Sequence, residues 1–358
     1  MKKIIKLFFI IIIVFHCNCE KKEIVKKNLL EVKQKILEDL KYPEQLLINE
    51  NGIFINDSGK IFLYSLNKIT LKKIFNNNGD ESCGETKIFV NGDKILIYYY
   101  NTGDFKILSI LGNTVKTGKI SSFNTTNLLL LSNKIVRVAT DFKGVNIILL
   151  DNNLREIKSV LKIIDKDDKK GSIETINVDF GKKIRKKKRK VYKGRIFVVC
   201  NDKRLYVADT TNDFSVKVFD GDGNYLKNIR KRKYKRIKCT EKLRKILSDI
   251  NRKEYENKCE KQRELIDIVR RIYVDEYPEF MPPFSDIFVN NTNLFFKTFE
   301  FDESGKSVKF IVMDLDGKNI KICFLPTPCD FLYSFFKDKY YFLRKNKQKW
   351  SLVIKKWN

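Results

Sequence analysis

The stretch Leu205–Gly223, LYVADTTNDFSVKVFDGDG, decides the fold. Apolar and polar residues alternate in LYVAD and again in SVKVFD, which is the pattern of half-buried β-strands. The TTND and GDG segments supply turn residues, and NYLKNI continues the alternation after them. These segments predict three short antiparallel strands, and the preceding KGRIFVVC supplies a fourth.

The same pattern recurs, with drift, along most of the chain. A short polar turn followed by alternating segments begins near residues 49, 91, 132, 201, 290 and 336. A spacing of about 40–50 residues is typical of β-propeller blades, because one small sheet cannot bury both of its faces alone. The repeat therefore predicts an all-β, six-bladed β-propeller over residues 49–358. A β-sandwich, or several small β domains, is the alternative.

The two long gaps in the repeat contain insertions. In the second gap, residues 240–274 place Leu243, Ile246 and Leu247 at helical spacing, and Thr240 precedes them as a helix N-cap. We therefore expect a helical insertion, made of two helices or one bent helix, between the fourth and fifth blades. It either packs over one end of the propeller or acts as a lid or partner-binding element.

Two segments resemble a known family. YVADTTNDFSVKVFDGDGNYLKNI is similar to an NHL-type blade, in which a strand ending in an acidic residue precedes a V-x-V-F-D strand and a glycine turn. PPFSDIFVNNTNLFFKTFEF followed by FIVMDLDGKNIKI resembles a late blade of the uncharacterised bacterial six-bladed propeller lipoproteins. The resemblance implies the fold and an envelope location. It implies no reaction, because similarity of fold does not establish function.

The N-terminus predicts export. In MKKIIKLFFIIIIVFHCNC three lysines precede an apolar run from Leu7 to Phe15, which is the layout of a secretory signal peptide. The run is too short for a membrane-spanning helix, which needs about 20 residues. The end of the segment resembles a bacterial lipoprotein signal, which implies removal of residues 1–18 and lipidation at Cys19. Cys17 is a second choice, and export without lipidation is the alternative.

Residues 19–48 are then expected to form a tether and lead-in to the propeller. Beyond Cys19 the chain has six cysteines, an even number that permits disulfides in an exported protein. The sequence leaves their pairing open. The nearest pairs along the chain are Cys239 with Cys259 and Cys323 with Cys329, and Cys200 ends an apolar run as a buried free thiol would.

Charge and histidine content limit the function classes. The formal net charge of +28 indicates anionic partners or a Lys-, Asn- and Ile-rich composition with a solvated surface. The only histidine, His16, lies in the predicted signal, which excludes histidine-dependent catalysis and histidine-ligated zinc from the mature chain. The DGDG segment at 220–223 lacks the rest of a calcium-loop pattern. We therefore predict no catalytic residue, no metal site and no cofactor.

Two segments carry clustered positive charge, GKKIRKKKRK at 181–190 and RKRKYKRIK at 230–238. Tyr234 interrupts the second cluster, as aromatic residues do on nucleic-acid surfaces. An exported protein instead meets anionic lipid, envelope polysaccharide or acidic protein surfaces, so nucleic acid is a less favoured partner. The predicted anion contacts are Lys186, Lys187, Lys188, Arg189, Arg230, Arg232 and Lys233. The alternative is that both segments are solvated loops.

The sequence thus predicts a cell-envelope protein, periplasmic or at the cell surface, that is anchored to the membrane by an N-terminal lipid. It would act as a scaffold that binds a ligand, a protein or an anionic envelope component. The alternative is an exported propeller lyase or hydrolase that uses carboxylates or Ca²⁺, and a nucleic-acid-binding protein ranks below both. Convergent titratable groups with shifted ionisation at the channel mouth would favour the enzyme. A flat or basic rim would favour binding.

Overall fold

The fold was analysed in a computed structural model. It describes the following residues: 31–75, 86–121, 125–141, 144–164, 187–192, 194–211, 213–231, 234–326, 332–346 and 349–356.

Six four-stranded antiparallel sheets form the blades of a six-bladed β-propeller. Blade 1 consists of β2 (Pro43–Asn49), β3 (Gly52–Asp57), β4 (Lys60–Tyr64) and β5 (Leu71–Phe75). Blade 2 consists of β6 (Thr86–Asn91), β7 (Lys94–Tyr99), β8 (Asp104–Ser109) and β9 (Thr114–Lys119). Blade 3 consists of β10 (Thr125–Leu131), β11 (Lys134–Asp141), β12 (Gly144–Leu150) and β13 (Glu156–Ile164).

The second half of the ring repeats this plan. Blade 4 consists of β15 (Ile196–Cys200), β16 (Arg204–Asp209), β17 (Ser215–Asp220) and β18 (Tyr225–Arg230). Blade 5 consists of β20 (Asp286–Val289), β21 (Asn293–Phe301), β22 (Ser307–Asp314) and β23 (Lys321–Pro326). Blade 6 combines β24 (Tyr333–Phe336), β25 (Lys339–Asn346) and β26 (Lys349–Lys356) with β1 (Glu31–Leu37).

Both ends of the chain build blade 6. The strand β1 pairs antiparallel with β26, with Lys35 opposite Leu352 and Leu37 opposite Trp350. The expected start of the propeller at residue 49 is therefore wrong, because β1 and β2 lie within the stretch that we expected to be a lead-in. The error has a physical cause: a closed ring shares its last sheet between the two termini, and a lone strand carries no repeat signal of its own. The predicted signal peptide lies outside the described residues.

The first strands of neighbouring blades contact one another and so surround the central channel. The six repeat starts seen in the sequence coincide with the turns that follow these inner strands. The end of the ring that carries these turns is called the turn face here, and the opposite end the insertion face. Polar turns mark the sequence more strongly than buried inner strands do, so the sequence repeat began one strand late.

Apolar side chains fill the space between adjacent blades. Between blades 1 and 2, for example, Phe54 and Ile61 pack with Ile95 and Ile97. Five further clusters of this kind lie at the remaining blade boundaries. Because each blade alternates side chains to its two faces, both faces are buried only when the ring is complete.

Lysines join successive blades at the rim. At five boundaries a lysine of the outer strand donates a hydrogen bond to the last turn of the next blade. The pairs are Lys35 with the Ile69 carbonyl, Lys73 with the Leu111 carbonyl, Lys116 with the Asn152 carbonyl, Lys158 with Asn224 Oδ1, and Lys227 with Asp316 Oδ1. Part of the high lysine content therefore serves the assembly of the ring.

The insertion between blades 4 and 5 is helical, as predicted. It contains α1 (Glu241–Glu256) and α2 (Glu260–Ile272), which are two separate helices. Thr240 caps α1, because its side-chain oxygen accepts a hydrogen bond from the Leu243 backbone N–H at 3.3 Å. The strands β14 (Lys187–Lys190) and β19 (Tyr273–Glu276) pair in parallel and link this insertion to the one between blades 3 and 4.

Candidate functional site

A cavity of about 370 Å³ lies at the turn face of the channel. The inner strands and first turns of five of the six blades line it, those of blades 1, 2, 4, 5 and 6. A cavity shared by so many blades must lie on the propeller axis. Concave sites of this volume, with an apolar floor and a few polar groups, are typical of small-ligand sites.

The floor of the cavity is apolar. Leu47, Phe89 and Phe288 line it from three inner strands, together with the thiol of Cys200. Cys200 is buried and free, as the sequence indicated, and its Sγ donates to the Leu130 carbonyl at 3.2 Å. Burial raises the pKa of this thiol, so the sulfur stays protonated and is a poor nucleophile.

The rim carries two carboxylates, Glu50 on the first turn of blade 1 and Asp202 on that of blade 4. Blades 1 and 4 are opposite one another in a ring of six, so the two groups face each other across the mouth. Burial raises the pKa of Asp202, the negative charge of Glu50 raises it further, and Lys203 opposes both effects. The mouth therefore holds two carboxylates and one ammonium group, that of Lys337 on blade 6, so its lining has an excess of negative charge that a bound cation would relieve.

Amide side chains complete the rim and differ in their roles. Asn49 and Asn91 donate to the carbonyls of Gly92 and Leu130 at 2.9 and 3.0 Å, and so join neighbouring blades. Asn290 uses its Oδ1 to cap its own turn by accepting from the Thr292 backbone N–H at 3.0 Å. Its Nδ2 is buried and has no hydrogen-bond partner among the described residues. That N–H group remains as a donor in the cavity wall.

The helical insertion covers the other end of the channel. The helix α1 buries Leu243 and Leu247 against Met281 and Phe299 beside blade 5. Farther along the insertion, α2 reaches blade 1, where the side-chain amide of Gln262 donates to Glu44 at 3.3 Å. Since blades 5 and 1 are not neighbours, the insertion spans this end of the ring. The cavity itself opens at the opposite end, the turn face.

The predicted anion contacts are only partly described. Cys19, Lys186, Arg232 and Lys233 lie outside the described residues. Lys187, Lys188 and Arg189 belong to β14, so this part of the first cluster is a strand rather than a solvated loop. The Arg189 guanidinium binds Asp275 Oδ1 through Nη2 at 2.7 Å and through Nε at 3.0 Å. Arg230 is exposed at the end of β18.

Asp220 and Asp314 stabilise the turns in which they lie. Asp220 Oδ1 accepts from the backbone N–H groups of Asp222 and Asn224, and Asp314 does the same for Asp316 and Lys318. Within the described ranges, no group of three or more His, Cys, Asp or Glu side chains is arranged to hold a metal ion.

Neither of the two nearest cysteine pairs along the chain forms a disulfide. Cys239 and Cys323 carry free thiols, which excludes the pairs Cys239–Cys259 and Cys323–Cys329. Cys259, the residue that precedes α2, is disulfide-bonded. Among the helices that the structure describes, none combines the length and apolar character needed to cross a membrane.

The candidate ligand-binding residues at the channel mouth were not predicted from the sequence. Glu50, Asp202 and Asn290 each lie at or directly beside a repeat start, which was the one signal available. That signal was explained as turn formation. Nothing in the sequence brings residues 50 and 202 together until the ring is closed.

No protein-family model and no curated protein matches the chain. Solved structures do match. A member of the DUF4221 family from Bacteroides vulgatus is 11% identical, over 92% of this chain and 98% of its own, with a TM-score of 0.52. A "Putative exported protein" from Bacteroides fragilis is 9% identical, over 92% and 97%, with a TM-score of 0.49. At such low identity the likeness to the DUF4221 protein concerns the fold alone.

Proposed function

We propose that the protein is an exported, lipid-anchored propeller that binds a small ligand in the cavity at its turn face. The ligand has an apolar body and a cationic group. The observation that carries this proposal is the pair of carboxylates, Glu50 and Asp202, placed on opposite blades above a floor of Leu47, Phe89 and Phe288. An amine between the carboxylates would neutralise their repulsion, while its apolar part would displace water from the floor.

The export part of the proposal is supported by the N-terminal sequence, with its basic start, its apolar run and Cys19. The test is the intact mass of the protein from a membrane fraction, measured beside that of Cys19→Ser. We expect the wild type to lack residues 1–18 and to carry acyl chains, and the variant to lack the acyl mass. An unmodified full-length chain in the cytosol would contradict both export and anchoring.

The ligand part is tested with dansylcadaverine, a fluorescent primary amine with an aromatic body. We expect binding that weakens with salt and falls at least tenfold in the double variant Glu50→Gln/Asp202→Asn. The matched control is Glu156→Gln/Glu303→Gln, which removes two exposed carboxylates of blades 3 and 5. Equal binding by the wild type and the first double variant would reject this site.

A second candidate function is favoured by one observation, the raised pKa of Asp202 beside Glu50. A carboxylic acid that keeps its proton to higher pH is what a lyase or hydrolase uses as a general acid. Binding is preferred because both carboxylates lie on the exposed rim and the buried thiol of Cys200 is kept protonated. Turnover of a glycoside or ester that is lost in Asp202→Asn would favour the enzyme.

A further inference from the structure

A cleft runs along the edge of blade 4 that faces the two insertions. It consists of three adjacent cavities of about 370, 270 and 320 Å³. The first and second share Tyr192, Thr210 and Pro282 as lining residues, and the second and third share Asp213. The three cavities therefore adjoin one another along this edge, and we name them together the blade-4 cleft. It lies away from the turn face and is separate from the channel cavity.

The two basic clusters of the sequence meet in this cleft. Arg189 and Lys190, from the first cluster, line its first cavity. Arg236, from the second cluster, lines the middle cavity, and Arg230 lines the third. About 40 residues separate the clusters along the chain, but the folding of blade 4 between them returns the chain to the same edge.

The carboxylates of the cleft are already occupied. Asp275 accepts two hydrogen bonds from Arg189, and Asp209 Oδ1 accepts from the Thr211 hydroxyl at 2.6 Å. Asp213 accepts from the Phe214 backbone N–H and Asp286 from that of Ile287, at 3.2 and 2.8 Å. Asp275 is thus neutralised by a cation of the protein, whereas Asp209 and Asp213 accept from neutral groups and keep their negative charge.

The basic side chains of the cleft are not occupied in the same way. In the part of the chain that the structure describes, no hydrogen bond or ion pair engages the side chains of four of them. These are Lys190, Arg195, Lys217 and Arg230, and three of the four are exposed. The lining of the cleft thus holds six cationic side chains and four carboxylates, and this excess of positive charge favours an anionic ligand.

A buried hydroxyl in the middle cavity gives a second sign of a ligand. The Oη of Tyr234 is buried and has no hydrogen-bond partner among the described residues. A buried polar group without a partner lowers stability. Burial raises the pKa of this phenol, so its O–H remains available as a donor. An acceptor oxygen of a ligand would give the Tyr234 hydroxyl the hydrogen bond that it lacks.

The tyrosine rings of the cleft have packed faces, and the aromatic ring that remains exposed there is that of Phe280, at 42%. The Tyr192 ring stacks on Tyr277 with a centroid distance of 5.8 Å, and the Tyr234 ring packs against Phe214 at 6.1 Å. Single-stranded nucleic acid needs free ring faces on which bases stack. A single exposed ring does not provide a row of stacking platforms, and the Tyr192 hydroxyl donates to Asn251 Oδ1 at 3.2 Å. The remaining Tyr234 hydroxyl and the polar side chains of the cleft suit a chain of sugar hydroxyls.

We propose that the blade-4 cleft binds an acidic polysaccharide. The cations along its rim contact the carboxylate or sulfate groups of the glycan, and the Tyr234 hydroxyl donates to a sugar oxygen. Ser215, Thr211 and Asn228 supply further polar edges in the cleft. This site is independent of the amine site at the channel mouth.

The proposal is tested with fluorescein-labelled oligogalacturonate, an acidic glycan, and with a neutral malto-oligosaccharide of equal length. The variant replaces the four unpaired cations of the cleft with glutamine: Lys190→Gln, Arg195→Gln, Lys217→Gln and Arg230→Gln. We expect the wild type to bind the acidic glycan only, and the variant to bind it at least tenfold more weakly. Equal binding of the neutral glycan would overturn the anionic character of the site.

The matched control removes four other exposed lysines, so that the change in net charge is the same: Lys68→Gln, Lys72→Gln, Lys318→Gln and Lys321→Gln. These residues lie on blades 1 and 5, outside the cleft. We expect less than a threefold change in affinity for this control. An equal loss in both quadruple variants would show that overall charge, rather than the cleft, attracts the glycan.

Two further measurements keep the test specific. Tyr234→Phe is expected to weaken oligogalacturonate binding by at least threefold while leaving the melting temperature unchanged or higher, because the lost hydroxyl has no partner in the free protein. Unchanged affinity would remove Tyr234 from the site.

A single-stranded oligonucleotide of equal charge is expected to bind more weakly than the glycan. Tighter oligonucleotide binding that the cleft variant abolishes would reject the glycan in favour of nucleic acid.

Discussion

Trp350 holds the closing blade together, and its replacement should open the ring. Its ring is 1% exposed and packs with Leu37 of β1 and with side chains of blade 1. Its Nε1 donates to the Lys41 carbonyl, which follows β1, at 3.2 Å. The substitution Trp350→Ala therefore removes contacts that only the closed ring makes.

The expected loss can be estimated from these contacts. Truncating a buried Trp to Ala costs about 3–5 kcal/mol through lost burial and the cavity left behind. Loss of the hydrogen bond to Lys41 adds about 1 kcal/mol. The sum of about 4–6 kcal/mol is a large share of a typical stability of about 5–15 kcal/mol. Trp350→Phe keeps most of the apolar area and should lose only about 1–2 kcal/mol.

The assay is urea unfolding followed by far-ultraviolet circular dichroism, with limited trypsin digestion below the unfolding transition. In Trp350→Ala we expect cleavage after Lys35 or Lys41 to accelerate, because β1 leaves β26 before the other blades unfold. The reasoning is refuted if Trp350→Ala is no less stable than Trp350→Phe. It is equally refuted if β1 remains as protected as in the wild type.

Three further outcomes are expected. Asp202→Asn should stabilise the protein by a few tenths of a kcal/mol, at most about 1, at pH 7. The pKa of Asp202 is higher in the folded protein than in the unfolded chain, so the protonated carboxyl favours the folded state. This contribution to stability is complete below the unfolded pKa of about 3.9 and is lost as the pH rises through the folded pKa. Urea titrations at pH 7 and pH 3.5 check this, and an equal gain at both would contradict it. Lys158→Met removes the 2.7 Å hydrogen bond to Asn224 and should lower the free energy of unfolding by less than about 1 kcal/mol, measured by thermal unfolding. A larger loss would mean that the lysine does more than join two blades. Gly194→Ala should lower the free energy of unfolding by about 1–3 kcal/mol, because a Cβ there would lie 2.3 Å from Thr211 Cα. Wild-type stability of this variant would show that the backbone moves apart at no cost.

The sequence sufficed for the number of blades and for the position of the helices. Polar turns recur at near-regular spacing, and the helical period of Leu243, Ile246 and Leu247 contrasts with the strand pattern around it. Both signals are local, so they survive in one sequence without knowledge of contacts. The same signals placed the blade boundaries one strand late, because inner strands such as β15, with sequence IFVVC, are short apolar runs that do not alternate with polar residues.

What could not be predicted depends on contacts between distant parts of the chain. The strand β1 reads EVKQKIL and alternates only weakly, and its role follows from closure of the ring with β26. The charges of Glu50 and Asp202 interact only because blades 1 and 4 face each other across the channel mouth. The basic clusters were found by composition, but their common cleft depends on how blade 4 and both insertions pack.

The direction of β1 bears on how an anchored molecule would be oriented. Glu31 pairs opposite Lys355 at the end of β26, which is the end of the ring that carries the first turns of the blades. The chain therefore enters the propeller from the turn face. A lipid on Cys19 would be separated from β1 by a segment that can extend no more than about 40 Å. In a molecule held in this way, the channel mouth is on the anchored side of the ring and the helices are on the opposite side. The tether would then keep the mouth within reach of amphipathic amines at the membrane surface, while the outer side of the molecule remained free for glycan.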